Sequence, residues 1–181
     1  MEIRDTALSD VKLILPRVFG DSRGFFKEVW NQREFARHGL NVNFVQDNFS
    51  RSCRNTLRGL HFQEAKPQGK LVWVSRGEVC DVAVDVRRNS PTFGKWVAEC
   101  LSCENHRMLW IPPGFAHGFR VLSDEADFQY KCTEFYVPDD ERCIRWNDET
   151  LAIDWGDVDL AELIISEKDA NASSLKAMFE I

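Results

Sequence analysis

The sequence predicts an all-β (mainly β) chain, a sandwich or jelly roll with short flanking helices, and three observations predict it. Short apolar stretches rich in β-branched and aromatic residues recur at close spacing, separated by Gly, Pro, Asn and Asp. One stretch, 79–86, alternates with the two-residue period of a strand. Helix-start signals occur in only two places. The 181 residues suit one domain covering 1–181, and a content of 44% hydrophobic and 12% aromatic residues is ample for a packed core.

In chain order, Asn31 followed by Glu34 is a capping pattern that opens a helix over Gln32–His38, with Gly39 to close it. Leu71–Ser75 is the next clear strand, followed by a turn at Arg76-Gly77-Glu78. In Val79–Val86 the even positions Cys80, Val82, Val84 and Val86 are apolar, whereas Asp81 and Asp85 share the other face. Asn89-Ser90-Pro91 turns the chain into a strand over Trp96–Leu101, and Pro112-Pro113-Gly114 is a further turn. Tyr130–Val137 reads as a strand ending at Pro138-Asp139-Asp140. Ser166 followed by Asp169 opens a second helix that runs towards Phe179.

Charge and cysteine usage narrow the function classes. With 23 Lys plus Arg against 29 Asp plus Glu, the net charge is −6, which argues against a broad nucleic-acid-binding face. The longest apolar runs, such as Leu71–Val74, are too short for a helix to cross a bilayer. The opening MEIRDTALSD lacks the apolar centre of a signal peptide, so the expected setting is cytoplasmic, with the six cysteines reduced. Cys100 and Cys103 form a C-x-x-C, but no second ligand pair follows at zinc-site spacing.

Two histidines stand in conspicuous settings, His61 in LRGLHFQ and His117 in IPPGFAHGF. Pro112-x-Gly114-x-x-His117 resembles part of the second cupin motif, whose His is usually a metal ligand. A metal cupin also carries His-x-His on an earlier strand, and here that place holds His61-Phe62-Gln63. One imidazole and one amide make a poor transition-metal site. The expectation is a site with no metal and no other cofactor, in which His61 is available as a base.

Ten strings carry a wider resemblance: FGDSRGFF, FVQDN, LRGLHFQ, QGKLV, GEVCDVAVDVR, SPTFGKW, IPPGFAHGF, QYKCTEFY, WND and SEKDA. In this order and spacing, from about Val18 to Asp169, the chain resembles the dTDP-4-dehydrorhamnose 3,5-epimerase family. The resemblance implies a cupin-type jelly-roll barrel, a metal-free homodimer, and action on a dTDP-4-keto-6-deoxysugar in dTDP-rhamnose synthesis. It implies four catalytic residues: His61 as base, Asp169 as the carboxylate that orients it, Lys70 as the cation at the C4 oxygen, and Tyr130 as acid. Asp169 is also placed to serve the Ser166 cap, and the two roles are compatible.

The resemblance further implies a set of substrate contacts. Arg23 and Arg58 match phosphate-binding arginines, suited to the task by their forked guanidinium groups. Gln46, Asp47 and Asn48 match groups that read thymine and deoxyribose. His117 is a second donor to the oxyanion, and Tyr136 a platform for the base. Phe19, Phe26 and Glu28 match residues lining the nucleotide site, from this chain or from a partner. Glu141 and Lys168 match further contacts. Tyr130 and Tyr136 share strand parity, which points both into one cavity. Arg58 and His61 have opposite parity, so either a bulge at Gly59 turns them to one face or Arg58 serves a dimer contact. Three other readings stay open: a C3-only or C5-only epimerase, a non-catalytic nucleotide-sugar-binding cupin, and a metal-dependent cupin oxygenase or isomerase.

Overall fold

Short, largely buried strands assemble into two facing sheets, antiparallel apart from one short edge pairing, in a computed structural model that describes residues 1–181. The first part of the chain forms β1 (Glu2–Asp5), β2 (Lys12–Leu15), β3 (Val18–Asp21), β4 (Gly24–Lys27) and α1 (Gln32–Arg37). Next come β5 (Gln46–Cys53), β6 (Thr56–Gln63), β7 (Lys70–Arg76), β8 (Glu78–Asp85) and β9 (Trp96–Ser102). Then follow β10 (Met108–Ile111), β11 (Phe115–Val121), β12 (Glu125–Cys132), β13 (Glu141–Cys143), β14 (Ile164–Ile165), α2 (Glu167–Ala170) and α3 (Leu175–Phe179). One sheet has the order β1-β2-β10-β7-β12-β5, the other β13-β6-β11-β8-β9 with β14 added beside β6. Hairpin β3–β4 stands apart as a two-stranded ribbon. This is the jelly roll expected from the sequence.

Between the sheets, Val72 and Val74 of β7, Leu109 and Ile111 of β10, and Phe128 of β12 meet Val79 and Ala83 of β8 and Phe119 and Val121 of β11. Each fully buried side chain of this kind contributes about 1.5–3 kcal/mol. A second core covers the back of the β6–β11–β8 sheet, where Leu60, Val82, Val84 and Ala116 pack against Trp155, Leu175 and Phe179. Strand β8 is therefore buried on both faces, and its two aspartates point into the interior, each fully buried. A third cluster lies on the back of the other sheet, where Phe35 of α1 joins Ile14, Leu71, Trp73 and Trp110.

Two sequence expectations need correction. The strand read over Tyr130–Val137 ends at Cys132, because its ladder partners run out there: Cys132 faces Gln46, the first residue of β5, and Lys70, the first of β7. Beyond it, side chains take over the backbone, with Gln46 Oε1 accepting from the Tyr136 N–H at 2.9 Å and Gln63 Oε1 from the Val137 N–H at 2.8 Å. The helix read from Ser166 towards Phe179 is two helices. Ser166 caps the first and Ser174 the second, and between them Ser173 bridges to Ile144 in extended conformation. The N-terminal helix is capped as read, with Asn31 accepting from the Arg33 and Glu34 N–H groups.

Asp85 anchors the turn after β8. Burial alone would raise its carboxyl, but hydrogen bonds from the Arg87, Ser90 and Thr92 side chains and the Arg87 N–H outweigh that and hold it at about 2. A carboxyl depressed on folding contributes stability that is present above its unfolded value and lost as pH falls through the folded one. About 2 kcal/mol of folding free energy should therefore disappear between about pH 4 and pH 2. Asp85→Asn should lower stability by a similar amount at pH 7 and flatten that acid limb, as measured by urea unfolding across the range.

Candidate active site

A regular strand would send Arg58 and His61 to opposite faces. In the β6–β11 ladder, however, His117 faces His61 and Phe119 faces Arg58, so three steps on β6 match two on β11. Gly59 absorbs the extra residue at φ +125°, a conformation that side chains rarely tolerate. A Cβ there would lie 2.5 Å from Gly118 Cα, and one on Gly118 would lie 2.7 Å from the Arg58 carbonyl oxygen. The two glycines let the strands close together. The bulge at Gly59 thus turns Arg58 and His61 to one side, while Leu57, Leu60 and Phe62 all join the second core.

Asp169 holds this strand from behind. Its N–H satisfies Ser166 Oγ at 3.1 Å, which leaves the carboxylate free. Oδ1 lies 2.6 Å from His61 Nε2, and Oδ2 accepts the Gly59 N–H at 3.2 Å. Asp169 thus makes the Ser166 cap contact and the His61 contact at once. Burial would raise its carboxyl, but His61, the Gly59 N–H and the Cys143 thiol hold it below the usual range. The imidazole is anchored through Nε2, and Nδ1 makes no hydrogen bond within the chain.

The facing sheet presents Lys70 and Tyr130. Lys70 opens β7 beside Cys132, and Tyr130 is on the adjacent strand, with the Lys70 Nζ 6.0 Å from its ring centre. Neither the ammonium nor the phenol is hydrogen-bonded within the chain. Burial pushes the Lys70 ammonium down, and it pushes the Tyr130 phenol up to about 12, with Cys132 and Glu141 adding to the rise and Arg58 opposing it. Phe128 lines the floor, its ring 4.1 Å from that of Phe119 and 5.9 Å from His117.

His117 comes from β11 with a partner the sequence reading did not assign. Its Nε2 lies 2.8 Å from Asp81 Oδ1, both residues are buried, and Asp81 Oδ2 has no partner. Burial drives His117 down and Asp81 up, each towards its neutral form. Gln63, noted only as the missing second His, bonds the Lys66 and Phe135 carbonyls and the Val137 N–H, and so shapes the loop that carries Tyr136. Tyr136 donates to Glu141 Oε2 at 3.2 Å, and Lys168 donates to the same oxygen. Loop closure, rather than strand parity, brings Tyr136 towards Tyr130.

The remaining residues divide. Asn48, cross-strand from Tyr130, accepts from Gln46 Nε2 at 3.0 Å, and Arg58 Nε donates to Ser52 Oγ at 3.1 Å. Asp47 faces the other way and is paired with Lys131 at 2.8 Å. Phe19, Arg23 and Phe26 stand exposed on hairpin β3–β4, where Arg23 is paired with Asp21, and Glu28 accepts from Asn31 Nδ2. These four are not joined to the cluster within the chain.

Fold and cluster together define the class: a cupin-type jelly roll equipped for acid–base chemistry between its sheets. Comparison with known proteins narrows it. The dTDP-4-dehydrorhamnose 3,5-epimerase family model matches residues 5–177. The Pseudomonas aeruginosa enzyme of that name is 59% identical over 93% of each chain. A solved enzyme structure from Legionella pneumophila, in complex with dTDP-4-keto-L-rhamnose, is 51% identical at a TM-score of 0.93, covering 97% of this chain and 93% of that one. A 3'-monoepimerase from Streptomyces bikiniensis in complex with dTDP-quinovose is 30% identical at a TM-score of 0.90, covering 97% and 89%. The chain belongs to the dTDP-4-dehydrorhamnose 3,5-epimerase family and is an epimerase.

Gly59→Ala tests the bulge. The added methyl meets backbone rather than a movable side chain. The variant should lose about 3 kcal/mol or more of stability, within the range of overpacking plus backbone strain. Any folded fraction should lose activity. Wild-type stability by denaturant unfolding would contradict this account of the strand.

Proposed function

We propose that this chain inverts C3 and C5 of dTDP-4-dehydro-6-deoxy-D-glucose, giving dTDP-4-dehydro-L-rhamnose, by proton transfer through an enolate. The observation that carries the reading is the opposition of the two sheets. His61 lies on one, Lys70 and Tyr130 lie on the other, and each has an atom with no partner in the chain. A proton next to a ketone leaves only if the enolate is stabilised, and inversion needs a second proton from the opposite ring face. His61 Nδ1 takes the first proton, while Asp169 stabilises the imidazolium that results. Lys70, with His117 as a second donor, meets the charge developing on the C4 oxygen, where burial strengthens each interaction. Tyr130 stays protonated at neutral pH because its phenol is pushed up to about 12, and it delivers the second proton.

In this reading Arg58 binds the diphosphate at the mouth, and Gln46 and Asn48 read the thymine and deoxyribose. Tyr136 stacks on the base, and Glu141 with Lys168 closes the rim. Asp47, Arg23, Phe19, Phe26 and Glu28 act at the nucleotide end, the hairpin residues by reaching a second copy. Phe19, Phe25 and Phe26 are half or more exposed there, an apolar surface that suits a homodimer contact. The free thiols suit a cytoplasmic setting, and no helix is long and apolar enough to cross a membrane. The likeness to a 3'-monoepimerase supports one second reading, inversion at C3 alone.

Variants in deuterated water separate the roles. His61→Ala and Lys70→Ala should abolish solvent exchange next to the ketone yet still bind dTDP; near wild-type exchange in either would remove its assigned role. Tyr130→Phe should continue to incorporate deuterium while epimerised product falls by about 10²-fold or more. Undiminished inversion would make water or another residue the acid, and loss of exchange as well would place Tyr130 in enolate formation. Chelator-stripped protein should keep full activity, and activity that returned only with a divalent metal would contradict the mechanism.

A further inference from the structure

Cys143 stands where the mechanism has no use for it. It lies on β13 directly across from His61, half-buried, with its Sγ 3.5 Å from Asp169 Oδ1. The His61 nitrogen, the Cys143 sulfur and an Asp169 oxygen all lie within 4.8 Å of one another. Zinc binds such donors at about 2.0–2.1 Å for nitrogen, 2.3 Å for sulfur and 2.0–2.2 Å for oxygen. Tetrahedral ligands at those lengths sit about 3.3–3.8 Å apart. The 2.6 Å His61–Asp169 contact has to open by less than about 1 Å, and the other separations already lie within 4.8 Å. Imidazole, thiolate and carboxylate suit zinc-like ions rather than the hard magnesium or calcium ions. The frame is held by the β6–β13 ladder and the capped α2, and the His61 side chain stays 24% exposed.

We propose that His61, Cys143 and Asp169 form an inhibitory site for zinc-like divalent ions. It shares His61 with the cupin metal position but takes Cys143 and Asp169 as its other ligands. On binding, the thiol proton passes to solvent, the His61 Nε2 proton shared with Asp169 moves to Nδ1, metal–sulfur, metal–nitrogen and metal–oxygen bonds form, and no electron is transferred. The imidazole is then fixed to the metal and separated from the carboxylate that supports it. That inhibition should follow rests on the reading of His61 as the base; metal binding itself does not.

The test has two arms, both on chelator-stripped full-length protein. Titration with cobalt(II) chloride should give one tight equivalent with a thiolate-to-cobalt charge-transfer band, which is lost in Cys143→Ala and in His61→Ala and weakened in Asp169→Asn. No band, or a band that persists in Cys143→Ala (as binding at Cys100 and Cys103 would give), overturns the site. Zinc chloride should suppress deuterium exchange into the keto-sugar, with chelator restoring it. Cys143→Ala and Cys143→Ser should remain active without metal and require about 10²-fold more zinc for half-inhibition, since losing even an outer partner of a metal ligand costs 10–100-fold. Zinc sensitivity equal to wild type in both variants overturns the proposal. A Cys143-dependent cobalt band without zinc inhibition keeps the site, overturns its inhibitory role and counts against His61 as the base.

Discussion

Asp169 divides its carboxylate between a side chain and a strand backbone. One oxygen fixes the His61 ring at 2.6 Å, and the other accepts the N–H of Gly59, the residue whose bulge turns His61 inward. Orientation of the ring and geometry of its strand therefore share a single anchor, delivered by a four-residue helix that is far away in sequence. The anchor is itself buried and must be satisfied on both oxygens, because an unpaired buried acceptor costs about 1–3 kcal/mol. A Ser166 cap on the Asp169 N–H completes the arrangement, so helix, bulge and the His61 ring stand or fall together.

Around that anchor, the fold supplies opposition. A jelly roll places two sheets face to face, and a polar cluster at one end faces in from both. The apolar interior floors the cluster with Phe128 and Phe119, which excludes water from below and raises the effect of each charge. Burial then sorts the ionisable groups by type: it presses the Tyr130 phenol up and the Lys70 ammonium down. The first shift keeps the phenol protonated at neutral pH, which suits the acid proposed, and the second belongs to the cation proposed for the oxyanion.

Much of this was legible in the sequence, though unevenly. Strand alternation in the sequence of Val79–Val86 revealed the β class, although in the fold that strand is buried on both faces. Parity arithmetic offered a bulge at Gly59 as one of two ways to reconcile Arg58 with His61, the other being a dimer contact, and the ladder has the bulge. It failed at Tyr136, where the strand had already ended and side-chain amides from Gln46 and Gln63 shape the loop instead. Local capping signals marked helix starts but not the break between the last two helices, which depends on a bridge from Ser173 to the distant Ile144. The Asp81–His117 pair and the position of Cys143 beside His61 arise from cross-strand register, which a single sequence does not display.

The central claim is that one base and one acid, on opposing sheets, act on both carbons that flank the ketone. Wild-type protein incubated with dTDP-4-dehydro-6-deoxy-D-glucose in deuterated water, followed by NMR, tests it most directly. The account predicts deuterium at both C3 and C5 of a product inverted at both centres. Deuterium confined to one carbon, or inversion without deuterium entry, would contradict it.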